Sequence, residues 1–219
     1  MNRDELWQAI DHERAGLADL LDDLSEQEWE VASLCSGWRV RDVAAHLSLA
    51  HMGAAQAARE LLRARGNIDR MLHDTAVRQA DLPTHRISAL LRGLIGSRRK
   101  APGGQPLLDI LVHGQDIAIP LGRDRQMPVR AASFSATRIW TMRWPFTMGW
   151  SFHARKELSG LRLAATDCSW AAGDGERVEG PIAAILLLLN GRDAALARLS
   201  GPGMAGLRAR LTARKPNIP

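Results

Sequence analysis

The chain has 219 residues, of which 46% are hydrophobic and 24% charged, with a formal net charge of +5 and a mean hydropathy of -0.18. This is the composition of an ordinary globular protein and excludes a disordered or fibrous chain. The longest apolar run, residues 181–189, is about half of what a membrane-spanning helix needs, and the start has no continuous apolar core of a signal peptide, so a cytoplasmic protein is expected.

Helix one is expected from Arg3 to Leu24, with Ile10, Leu17, Leu20 and Leu21 in one apolar stripe. "SEQE" (25–28) signals a capping box. After the loop "SLCSGW" (33–38), a second helix is expected from Arg39 to a stop at Gly66. Residues 67–81 are polar and ambiguous. Thr84 is the expected N-cap of a third helix, "HRISALLRGLIGSRRK". A fourth helix covers "PLLDILVHGQDIA" and stops at Pro120 and Gly122. Four long helices with short connections predict a bundle.

Beyond about Met127 the pattern changes. A helix entered at Pro128 precedes short β-like runs separated by Asp and Gly over residues 160–180, a buried helix, a turn at Asn190-Gly191 and a second short helix. The expected organisation is residues 1–126 as the bundle and 127–219 as a smaller α/β domain.

Cys35 and Cys168 are far apart in the chain and match no CxxC pattern, which argues against a disulfide framework. Cys35 reads as a half-buried structural cysteine or as a reactive thiol. Only three of the 29 basic residues are lysines and the arginines are scattered, so no nucleic-acid stripe is expected, whereas small anionic substrates suit the charge balance.

The chemistry concentrates in the fourth helix. Asp109, His113 and Asp116 stand at i, i+4 and i+7, on roughly one face, and carboxylates are rarely buried without a partner or a metal. A bundle metal site draws ligands from facing helices, and His46, flanked by Ala44, Ala45 and Leu47, supplies the third. His46, Asp109 and His113 form a two-imidazole, one-carboxylate zinc set with an open fourth position. Taken singly, His46 also fits a satisfied core residue. Asp116 fits either an orienting partner of a ligand imidazole or an ordinary buried hydrogen-bonding residue.

"LCSGWRVRDVAAHL" (34–47), "DILVHGQDIAIPLGR" (109–123) and the Thr-Asp, Trp, Gly-Pro and Gly-Arg landmarks over residues 161–192 resemble three ordered motifs of the mycothiol-dependent maleylpyruvate isomerase family. That family lies within the DinB/YfiT-like superfamily of metal-binding four-helix bundles. The resemblance implies a mainly α protein: a DinB-like four-helix bundle followed by a smaller α/β, sterol-carrier-protein-like domain.

It also places the metal ligands on His46, Asp109 and His113, with Asp109 where the family's isomerase has Glu. Arg192 matches an arginine implicated in substrate handling, although capping or pairing near the Gly191 turn is an equal reading. The implied cofactors are a divalent metal, zinc by expectation, and mycothiol as thiol cosubstrate. The implied reaction is addition of a metal-activated thiolate to an anionic electrophile, for cis-trans isomerisation or S-transfer, by a monomer or homodimer that needs no nucleic acid and no membrane. The alternative is a non-catalytic metal-binding stress or small-molecule-binding protein of the same fold.

Overall fold

The computed structural model describes residues 1–98, 105–142 and 154–213. The chain divides into two compact units, one over residues 2–125 and the other from residue 126 onward.

The first unit begins with α1 (Arg3–Asp22), closed at its start by a capping box in which Glu5 N donates to Asn2 Oδ1 at 2.9 Å and Asn2 N to the Glu5 carboxylate at 2.8 Å. The expected box at Ser25 and Glu28 opens the short α2 (Glu26–Trp29). Then follow α3 (Val40–Ser48), α4 (Ala54–Arg63), α5 (Ile68–Gln79), α6 (Thr84–Arg92) and α7 (Gln105–Ala118). The core is a ring of four helices: α1 packs on α6 and α7, and α3 packs on the same two. Ile10, Leu17, Leu21, Val43, Ile87, Leu91, Leu107 and Leu111 fill it and are almost wholly inaccessible. Apolar area removed from water contributes about 25 cal/mol per Å², so these side chains supply most of the drive for the ring. α5 packs outside on α3, and α4 on α5.

Three sequence expectations need correction here. The single helix expected over residues 39–66 is two, α3 and α4. Ser48 Oγ donates back to Ala45 O at 2.7 Å, Leu49 N tightens onto His46 O at 3.0 Å, and Gly53 in extended conformation caps the next helix. A hydrophobic period carries on across such a break and conceals it. The ambiguous stretch 67–81 is helical because the Asn67 side chain caps it, accepting from Arg70 N at 2.9 Å. Thr84 is the first residue of α6 rather than its cap, a position Pro83 takes, and α6 ends at Gly93. Residues 99–100 of the expected helix end lie outside the described residues.

The second unit contains α8 (Val129–Thr141), α9 (Ala154–Glu157), β1 (Leu161–Ala165), β2 (Ala171–Ala172), β3 (Glu176–Gly180), α10 (Ile182–Leu189), a 3-10 turn (Asp193–Arg198) and α11 (Met204–Ala213). The helix entered at Pro128 ends at Thr141, with Met142 in extended conformation as its C-cap. β1 lies between β2, antiparallel with Leu163 opposite Ala172, and β3, parallel with Leu161 opposite Glu176. The chain passes from one edge of this sheet to the other in three residues. A Cβ at Gly173 would lie 2.3 Å from Leu161 O and one at Gly175 2.2 Å from Gly160 O, and both residues have positive φ. Only glycine allows so close a crossing. α10, "IAAILLLL", packs between α8 and the sheet, and burial on several sides explains why it is apolar all round.

Candidate metal centre

The α3 break places His46 in the last turn of that helix, facing α7. The His46 and His113 ring centroids are 5.1 Å apart with their planes at 76°, and Trp38 lies against His46 at 5.3 Å. Asp109, one turn before His113 on α7, accepts from Gln105 Nε2 at 2.8 Å. Burial pushes the Asp109 carboxyl above the ordinary carboxylate range, partly offset by the neighbouring charge of His113. The three expected ligands therefore share one region of the bundle.

The loop before α3 adds Cys35, which the sequence offers either as a structural cysteine or as a reactive thiol. Leu34 N donates to Asp116 O at 3.1 Å, and Cys35 N donates to Ser33 Oγ at 3.1 Å, which ties the loop to α7. Cys35 Sγ consequently lies 3.1 Å from Asp116 Oδ2 and 3.6 Å from His113 Nδ1. Asp116 is fully buried, and its Oδ2 is 2.9 Å from His113 Nδ1. Among the described residues, Cys35, His113 and Asp116 form a group of donors whose ligand atoms all lie within 4.8 Å of one another. The signal for Cys35 was its place beside Gly-Trp in the first motif; spacing gave none, because the contact spans 81 positions.

Two donor sets thus share His113. Within the Cys35 group, the 2.9 Å and 3.1 Å separations are hydrogen-bond lengths, shorter than the roughly 3.4 Å between two oxygen or nitrogen ligands on a tetrahedral ion with bonds of about 2.1 Å. On the other side, two imidazoles on one such ion hold their centroids roughly 5 Å apart, which matches the His46 and His113 spacing. With Nδ1 engaged by Asp116, Nε2 is the nitrogen of His113 left for a metal, the usual arrangement for a ligand histidine.

Electrostatics separate the two histidines. Burial, reinforced by the charge of His113, pushes His46 down to about 3, so its lone pair is available at neutral pH. Burial also disfavours the charged form of His113, but hydrogen bonds to Asp116 and Cys35 outweigh it and push the group up to about 10. Asp42, the other carboxylate near His46 in sequence, is committed elsewhere: it accepts from Arg39 N at 2.8 Å and Arg39 Nε at 3.0 Å at the start of α3. Arg192 lies in the second unit, where its Nη1 donates to Asn190 O at 2.7 Å and its backbone N to Leu187 O at 2.9 Å.

Fold and site together define a helix bundle carrying a histidine-carboxylate centre, followed by a small α/β unit. Residues 10–107 match the family model described as the mycothiol maleylpyruvate isomerase N-terminal domain; Asp109 and His113 fall just past the matched stretch. Two solved structures share the fold. A crystal structure of a histidine-to-alanine mutant of the mycothiol-dependent maleylpyruvate isomerase is 14% identical, with a TM-score of 0.62 over 100% of this chain and 97% of the other. A second crystal structure of the mycothiol-dependent maleylpyruvate isomerase is 15% identical, with a TM-score of 0.60 over the same shares. No curated protein matches the sequence. Among the described residues, no helix is long and apolar enough to cross a membrane.

Proposed function

We propose that the chain is a metal-dependent enzyme that uses a low-molecular-weight thiol, mycothiol by family, to act on a small anionic electrophile by cis-trans isomerisation or S-transfer. The observation that carries this reading is the 5.1 Å pairing of the His46 and His113 rings beside the buried Asp109, with the far nitrogen of His113 held by Asp116. His46, Asp109 and His113 would hold the ion, zinc by the donor set. When bound, such an ion keeps a coordinated thiol deprotonated at neutral pH.

The chain's own residues prepare the site. Asp116 accepts the Nδ1 proton of His113 and sets its ring orientation, Gln105 orients Asp109, and burial keeps His46 neutral. Addition of the thiol sulfur to an electron-poor alkene forms a C–S bond and leaves a single C–C bond free to rotate. Breaking the same C–S bond returns the thiolate and the trans product. Arg192 is proposed to hold a substrate carboxylate, a role suited to the paired donors of a guanidinium.

The test is metal content per chain, followed by turnover of maleylpyruvate with mycothiol, for the wild type, His113→Ala and Arg192→Ala. Near-stoichiometric metal that is lost with His113 and retained with Arg192→Ala, with turnover lowered in both, supports the reading. Metal-free protein after reconstitution overturns it, and bound metal without thiol-dependent turnover leaves a binding protein in its place.

A further inference from the structure

The first unit contains a partly open cavity of about 260 Å³ to whose wall His46 and Asp109 both contribute. Most of the remaining wall is apolar, including Leu47, Met52, Met71, Leu72 and Leu91, with one cationic side chain, Arg14. An apolar cavity of about 150 Å³ takes a benzene ring, so this one has room for roughly ten non-hydrogen atoms.

Arg14 is only 3% exposed and poorly compensated. Among the described residues, one of its five N–H donors is at hydrogen-bond distance from an acceptor, Leu94 O at 2.7 Å. The neighbouring carboxylate, Asp11, stands 3.6 Å away and is shared: it accepts from Arg98 Nη1 at 2.6 Å and Gly96 N at 3.0 Å. The other polar side chain in the wall besides the two candidate ligands, Thr75, already donates to backbone carbonyls of its own helix. A buried cation with donors to spare in an apolar chamber calls for an anion with an apolar body.

We propose that this cavity binds a small amphipathic carboxylate, one acid group on Arg14 and its apolar body among the leucines and methionines, with the far end presented to His46 and Asp109. The assignment deepens the function proposed above, since it names the class of electrophile, and rests on it for the chemistry at the far end. Arg14 is the one cationic side chain in the wall, so the acid group goes to it and the apolar body lies along the leucines and methionines.

The probe is octanoate, with ten non-hydrogen atoms, beside its neutral counterpart octanamide. Binding is measured by calorimetry on the full chain as purified and after chelator treatment. Octanoate is expected to bind once per chain and roughly tenfold or more tighter than octanamide, because charge-assisted hydrogen bonds are the stronger kind. Arg14→Met is expected to erase that preference, and Ala57→Phe, which narrows the cavity and leaves Arg14 in place, to weaken both ligands. Should Arg14→Met lose its helical circular dichroism, Ala57→Phe carries the test: octanoate affinity equal to wild type overturns the proposal.

Arg14-dependent binding that survives chelation supports it even if the protein proves to hold no metal, which would remove only the metal reading. Octanoate binding that is lost on chelation and indifferent to Arg14→Met places the carboxylate on the metal, and overturns the proposal while sparing the metal reading. Absence of saturable binding also overturns it.

Discussion

His113 and Asp116 stand one turn apart on α7, and their 2.9 Å contact directs one imidazole nitrogen into a fully buried carboxylate. That contact distinguishes ligand from support. Asp116→Asn keeps the shape but offers a weaker acceptor, and loss of such a partner typically costs about 10–100-fold in metal affinity. Competition against a chromogenic chelator should show a drop of that size with the fold intact. Unchanged affinity would make Asp116 an ordinary core residue.

Cys35 tests which donor set is used. Cys35→Ser should leave one metal per chain, whereas His46→Ala should abolish it, because the ring spacing of His46 and His113 fits a shared ion and the Cys35 contacts are hydrogen bonds. The opposite pattern in elemental analysis would move the ion to Cys35, His113 and Asp116.

Gly114, on α7 between the two site residues, allows Arg125 to pass. A Cβ there would lie 2.6 Å from Arg125 Nε, and Arg125 is held by a 2.7 Å pair with Glu13 in which both side chains are under a tenth exposed. Gly114→Ala should push the guanidinium off that carboxylate and destabilise the protein by about 1–3 kcal/mol in urea unfolding, the usual range for overpacking. A neutral or stabilising result would mean that the arginine relocates without loss.

Ser88 on α6 and Arg92 one turn later both donate to the Asp22 carboxylate on α1. The Ser88 hydrogen bond is the main reason that the Asp22 pKa lies below its ordinary value. A depressed carboxylate contributes stability that is present above its unfolded pKa of about 4 and lost as pH falls through the folded value. Ser88→Ala should therefore raise the Asp22 pKa in an NMR titration and reduce stability at neutral pH, with the difference closing at low pH. Asp22 is half exposed, so the effect should stay within about 1 kcal/mol after solvent screening.

Packing density in the ring of four helices sets a contrast. Ile87 is fully buried, whereas Leu62 is 79% exposed. Ile87→Ala should cost about 2–5 kcal/mol and Leu62→Ala less than about 0.5 kcal/mol, measured by thermal unfolding. Equal costs would show that the ring is not the cooperative core.

The mainly helical character can be read along the chain, because periodicity and turn chemistry are local properties. The helix boundaries were read less well. The break after Ser48 and the cap at Asn67 depend on single hydrogen bonds that leave the hydrophobic pattern unchanged, so one helix was expected where there are two and an ambiguous stretch where there is a helix. His46 was placed by pattern and motif, but its 5.1 Å approach to the His113 ring comes from the packing of α3 on α7. The contacts of Cys35 and Arg14 come from packing in the same way. Their partners, Asp116 and Leu94, lie 81 and 80 positions away in the chain, and only the closed bundle, which removes water from between them, turns those residues into a cysteine-carboxylate contact and a buried cation.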